Sequence, residues 1–177
     1  MQSASVVLLL SLTAGNRPAS GPIAPTARAS ALQAECCGFE SHWVHSNYRS
    51  YMRLLVCGSR HWDDFETLSL CLDWFYDAFH ASGFCVIEGG AKGADQLAGK
   101  WVAVQKRAGR AIEHKVFEAD WKRHGRAAGP MRNQVMLDVG KPHAVIAFTP
   151  DLSKSIGTAN MVHKAQNHRL PVVLVNG

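Results

Sequence analysis

The chain has 177 residues, 47% hydrophobic and 19% charged, with a net charge of +5. This size and balance fit one globular domain with an extra segment, and exclude a chain too polar to bury a core. The basic excess favours anionic partners but falls well short of the charge density of a dedicated DNA-binding protein.

Residues 1–51 differ in character from residues 52–177. Met1 to Leu32 is rich in Ala, Ser, Pro and Gly, a composition that buries too little surface to offset chain entropy, so a disordered leader is expected there. Its apolar run, Val6 to Leu10, is far below the ~18 residues of a membrane span, and no Lys/Arg-bearing segment precedes it as a secretory signal would require. A cytoplasmic protein without membrane contact is the expectation. Cys36, Cys37, His42 and His45 lie within ten positions, but adjacent cysteines lack the spacing of zinc modules, and no metal site is assigned. Met52 stands directly before the first strand, and the functional protein is open to starting there. The leader holds three arginines and two glutamates, which leaves +4 of the net charge on residues 52–177.

From Met52 the pattern is regular. Arg53 to Ser59 is a short apolar run ended by turn residues, hence a buried strand. Asp63 and Asp64 offer caps to a helix with Leu68, Leu72, Phe75 and Phe79 on one face. Phe84 to Glu88 is a second strand, and Gly89 to Asp95 a glycine-rich turn. A helix over Ala94 to Ala108 presents Leu97, Ala98, Trp101 and Val102 inward. Ile112 to Phe117 is a third strand. A loop through Trp121 leads to a helix whose apolar face is assigned to Met131, Val135 and Val139, with Pro130 in its first turn. Ala144 to Phe148 is a fourth strand, Gly157-Thr158 opens a last helix, and Pro171 to Val175 is a fifth strand. Cys57 and Cys85 fall within apolar strands and read as buried thiols of a reducing compartment.

Strands alternating with helices call for a parallel sheet covered on both faces. A Rossmann-like, doubly wound α/β sheet of about five strands in the order 3-2-1-4-5 is expected. Ligands then bind beyond the carboxyl ends of the strands, at the switch between the first and fourth. The loops that meet there carry Gly58, Ser59 and Arg60; Gly89, Gly90, Lys92, Gly93 and Asp95; Arg132 and Asn133; and Gly157 and Thr158.

Each motif alone is modest. The glycine turn is neither GxGxxG nor a P-loop; it is either a phosphate cradle or a tight strand–helix connection. Asp95 is a ribose contact, a general acid/base or a helix cap. Gly157-Thr158 serves a phosphate or caps a helix. Arg132, at a helix start, is electrostatically misplaced unless it meets an anion. Lys122, Arg123 and Arg126 form a basic cluster that is solvated or touches phosphates, and Trp62 and Trp121 stack on a base or pack.

Gly58-Ser59-Arg60 with Trp62 and Asp63, Gly89 to Asp95, Trp121, Ala128 to Asn133 with Met136, and Gly157-Thr158 together resemble the YspA/YpsA-like branch of the SLOG superfamily. The superfamily comprises Rossmann-like domains and includes the LOG phosphoribohydrolases and the DNA-processing protein DprA. The resemblance covers about Met52 to Gly177 and implies nucleotide contacts at the loops just named, often in phage or stress-response settings. It also exposes a departure. LOG enzymes carry an Arg-Lys pair and a catalytic Glu three residues after the Thr of their glycine loop. Here Asn133 replaces the Lys and Met161 stands at the Glu position.

The leading expectation is therefore a domain that binds a nucleotide or nucleotide-derived ligand, acting as a sensor or accessory protein and needing no cofactor. One alternative is a nucleotide N-glycosidase, with Arg132 holding phosphate and Asp95 or Glu88 handling protons. The other is DprA-like binding of single-stranded nucleic acid through Lys122, Arg123 and Arg126. Self-association into a homo-oligomer is compatible with all three.

Overall fold

The computed structural model describes residues 7–10 and 51–176. The leader boundary at residue 51, the start at Met52, and the Cys36, Cys37, His42 and His45 group bear on residues outside that range.

Six parallel strands form one sheet: β1 (Val7–Leu10), β2 (Met52–Gly58), β3 (Phe84–Glu88), β4 (Ile112–Val116), β5 (Ala144–Phe148) and β6 (Val172–Val175). Their spatial order is β1-β6-β5-β2-β3-β4. Counted from Met52, the last five strands stand in the expected order 3-2-1-4-5. The sixth is a difference from the sequence reading, which placed no element in the leader. Val7 to Leu10 is an unbroken aliphatic run, and it pairs with β6 from Val7↔Val172 to Leu10↔Val175.

Helices α1 (Phe65–Phe79) and α2 (Ala94–Arg107) cover one face. α4 (Ala128–Asp138) and α5 (Ile156–Asn167) cover the other, and the single turn α3 (Trp121–His124) precedes α4. The alternation of strand side chains sets up two cores. Leu54, Val56, Phe84, Val86, Ile146 and Phe148 pack with α1 and α2 through Leu72, Phe75 and Trp101. Leu55, Cys57, Cys85, Ile87, Val145 and Ala147 pack with Met136, Leu137 and Met161 of α4 and α5. Burial of each large side chain contributes about 2–3 kcal/mol before entropy is set against it. Asp64 caps α1, its carboxylate accepting from Thr67 N at 2.9 Å.

α4 corrects one expectation. Met131, Val135 and Val139 do lie at helical spacing, but they are 46, 44 and 66% exposed, and the helix buries Ala128, Asn133, Met136 and Leu137 instead. Its apolar residues occupy both sides, so periodicity alone had two solutions. Cys57, Cys71 and Cys85 are buried. No helix among the described residues is long and apolar enough to cross a membrane.

Candidate functional site

β2 and β5 are neighbours, and the chain leaves their carboxyl ends for opposite faces of the sheet, towards α1 and α5 respectively. A cleft of about 460 Å³ opens at this switch point. Of the residues singled out in the sequence, Gly58, Ser59, Arg60, Asp95, Arg132, Asn133, Gly157 and Thr158 line it. Gly89, Gly90 and Lys92 line an adjoining cavity of about 460 Å³, with Arg60 and Arg132 common to both.

Gly93 lines neither, and its role is to let two loops meet. Its φ is +77°, and a Cβ there would sit 2.2 Å from Ser59 O. Ala94 N donates to that same carbonyl at 3.3 Å, so the β2–α1 loop rests on the start of α2. Ser59 in turn accepts from His61 N through its hydroxyl at 3.1 Å, which fixes the loop that carries Arg60.

The glycine turn is organised by acids from within the protein. Asp95, 3% exposed, accepts from Gly89 N at 3.1 Å and from Ala91 N at 3.3 Å. Glu88 accepts from Gly90 N. Three successive amides of the turn are thereby engaged by carboxylates. Asp95 is not the cap of α2, since Gly93 holds that position and Asp95 reaches back across the turn. Burial pushes its carboxyl up to about 6, against the opposing pull of Arg132.

Arg132 crosses from α4 to the same turn. Its guanidinium donates to Gly89 O, and its Nη1 lies 3.6 Å from Asp95 Oδ2. A Cβ at Gly89 would fall on that guanidinium, so a larger residue here would displace Arg132 from the turn. Arg132 also donates from Nε to Asn133 Oδ1 at 3.2 Å. Asn133 passes the linkage on, donating to Gly157 O at 3.2 Å and to Asn160 Oδ1 at 3.1 Å. An amide can accept from the arginine and donate to α5 at once; a lysine, which only donates, could not do both.

On the far wall, Thr158 Oγ1 and Ser155 Oγ lie 2.8 Å apart. Gly157 has nothing within 4 Å of where a Cβ would stand. Arg126 and Lys154 also line the cleft, and both are exposed. Trp121, 49% exposed, lines both cavities, and the Arg60 guanidinium carbon lies 5.6 Å from its ring centroid.

Several expectations need correction. Glu88, offered as a proton carrier, lines neither cavity: strand alternation turns it towards the α2 face of the sheet, and its Oε1 lies 3.2 Å from Nε2 of His114 on β4. Trp62 is 5% exposed, packs on Phe148 with centroids 5.4 Å apart, and donates to Asp64 O, so it is a core residue. Lys122 and Arg123 are exposed but outside the cleft lining. Met161 is wholly buried in the core between sheet and α5, and it is Asn160 that faces the cleft.

His61, Lys154 and Asn160 are lining residues that the sequence reading missed. His61 and Lys154 stand in the carboxyl-end connections, so taking those whole would have found them, whereas Asn160 lies within α5. Cys57 lies in the floor; burial raises its thiol well above the usual range, which keeps it neutral. Among the described residues no three His, Cys, Asp or Glu side chains come together as a metal-holding set.

Residues 52–124 match the YspA, cpYpsA-related SLOG family (YAcAr). The "Gene 61 protein" of Mycobacterium phage D29 is 35% identical over 123 residues, covering 68% of this chain and 94% of that protein. No solved structure matches.

Proposed function

Because the chain belongs to the YspA, cpYpsA-related SLOG family, we propose that its switch-point cleft binds a nucleotide or nucleotide-derived ligand and that the protein acts as a sensor or accessory component. The observation that carries this reading is the charge balance of the cleft. Arg60, Arg126, Arg132 and Lys154 line it against one lining carboxylate, Asp95, which already faces Arg132, while Lys154 also pairs with Asp151 at 3.2 Å. Such a basin favours an anion of the size of a nucleotide phosphate. The amides at the start of α5 and the Ser155–Thr158 hydroxyl pair add donors suited to phosphate oxygens, and Trp121 offers a ring on which a base can stack.

Isothermal titration of the full chain with AMP, NAD, ADP-ribose and cyclic AMP tests the reading. At least one should bind, and Arg126→Ala should weaken it roughly tenfold, the value of one charge-assisted contact. Absence of binding by all four, with the domain folded by circular dichroism, sinks the proposal. Arg126 is the better probe because Arg132 is tied to Gly89 and Asp95, and its loss would leave a buried carboxylate without its cation.

A hydrolytic second reading rests on Asp95 alone, which lines the cleft with its carboxyl raised to about 6. It predicts release of free base from a nucleoside monophosphate, measured by chromatography, and loss of that release in Asp95→Asn. Intact nucleotide after prolonged incubation leaves the binding role.

A further inference from the structure

The second cavity lies beside the first, and the two share a wall made by Arg60, Arg132, Ala91 and Trp121. Each is about 460 Å³, within the range of roughly 300–1,000 Å³ typical of a small-molecule site on its own. Their charges differ once the shared wall is set aside. The first chamber keeps Arg126, and Lys154 paired with Asp151, against an Asp95 that already faces Arg132. The second keeps one cation, Lys92, against one carboxylate, Glu118.

Both Lys92 and Glu118 are exposed, and the Glu118 side chain lies over Gly90, 3.4 Å from where a Cβ on that residue would stand. A carboxylate in this place disfavours a second phosphate. It suits paired hydroxyl groups, which donate to carboxylate oxygens as the ribose diol does in dinucleotide sites. The amides of Gly89, Gly90 and Ala91, which could otherwise draw a phosphate into this chamber, are engaged by Asp95 and Glu88. The second chamber is therefore built for a neutral, hydroxyl-rich group rather than for an anion.

We infer that the two chambers form one site for a nucleoside diphosphate joined to a further sugar, with the diphosphate against Arg60 and Arg132 and the distal sugar against Glu118. This rests on the nucleotide-binding reading and names the ligand class within it. A nucleotide that ends in a free phosphate would fill the first chamber only.

The test is titration of the full chain with AMP, ADP, ADP-ribose and ADP-glucose, for the native protein and for Glu118→Gln. Glu118 is exposed, so the substitution leaves the fold intact. At least one of the two sugar conjugates should bind the native protein tenfold or more tightly than ADP. In Glu118→Gln that advantage should fall to threefold or less, with ADP affinity unchanged. Equal affinity for ADP and both conjugates overturns the two-chamber site while nucleotide binding stands. An advantage that survives Glu118→Gln undiminished overturns the placement of the sugar against Glu118. If none of the four binds, both readings fall together.

Discussion

Two turns face the cleft from opposite sides, and they use small residues differently. In the β3–α2 turn, Gly89, Gly90 and Gly93 allow close approach of the protein to itself. Arg132 lies over Gly89, Ser59 O lies against Gly93, and three amides are closed off by Asp95 and Glu88. In the β5–α5 connection, Gly157 faces open space beside two hydroxyls that hydrogen-bond to each other. The glycine-rich sequence that most resembles a phosphate cradle is thus the internally braced one. What distinguishes a turn that holds a ligand is the destination of its backbone donors, not its glycine count.

This contrast can be broken most forcefully at Gly93. Gly93→Ala should cost about 3–5 kcal/mol, because a Cβ would meet a backbone carbonyl that cannot move aside and the backbone lies at positive φ. Chemical denaturation measures this; a loss under about 1 kcal/mol would mean that the two loops do not bear on each other. Next in size is the pH dependence that Asp95 confers. Its folded-state value near 6 stands above the ordinary 3.8, so the folded protein binds this proton more tightly than the unfolded chain does. The stability from this group is full below about pH 4 and is lost as pH rises through 6, by about 2–3 kcal/mol in all. Asp95→Asn removes the slope. Unfolding profiles of the two proteins that run parallel from pH 4 to 7 would refute the burial argument. The smallest stability effect is expected at Gly157→Ala, less than about 1 kcal/mol in either direction, since the added methyl has space and the position is helical. Nucleotide affinity should nevertheless fall, and unchanged affinity would remove this turn from the site.

Much of the fold was legible in the residues. The strands from Met52 onwards are short β-branched or aliphatic runs between turn residues, and their alternation with helices determines both sheet order and cleft position. Parity along β3 was legible too, though unused: Glu88 follows Phe84 and Val86 at even spacing, so it belongs to the α2 side. α4 was not legible to the same degree. With Met136 and Leu137 on one side and Met131, Val135 and Val139 on the other, only the packing partner decides which stripe is buried. The Asn133 linkage was hidden for another reason: its partners lie 24 and 27 residues away on a different helix, and no local pattern encodes such a contact.

The pairing of β1 with β6 bears on how the chain is made. Val7 leaves the ribosome long before its partner Val172, about 165 residues later. At roughly 5–20 residues per second this is a delay on the order of ten to thirty seconds. Strands β2, β3 and β4 have nearer partners and can assemble meanwhile, whereas Val7–Leu10 has no edge to join until β6 has been synthesised. Strand β1 is thus translated well before β6 yet is among the last of the described strands to take its place, and until then its apolar run is an adhesive segment for a chaperone or a neighbouring nascent chain to meet.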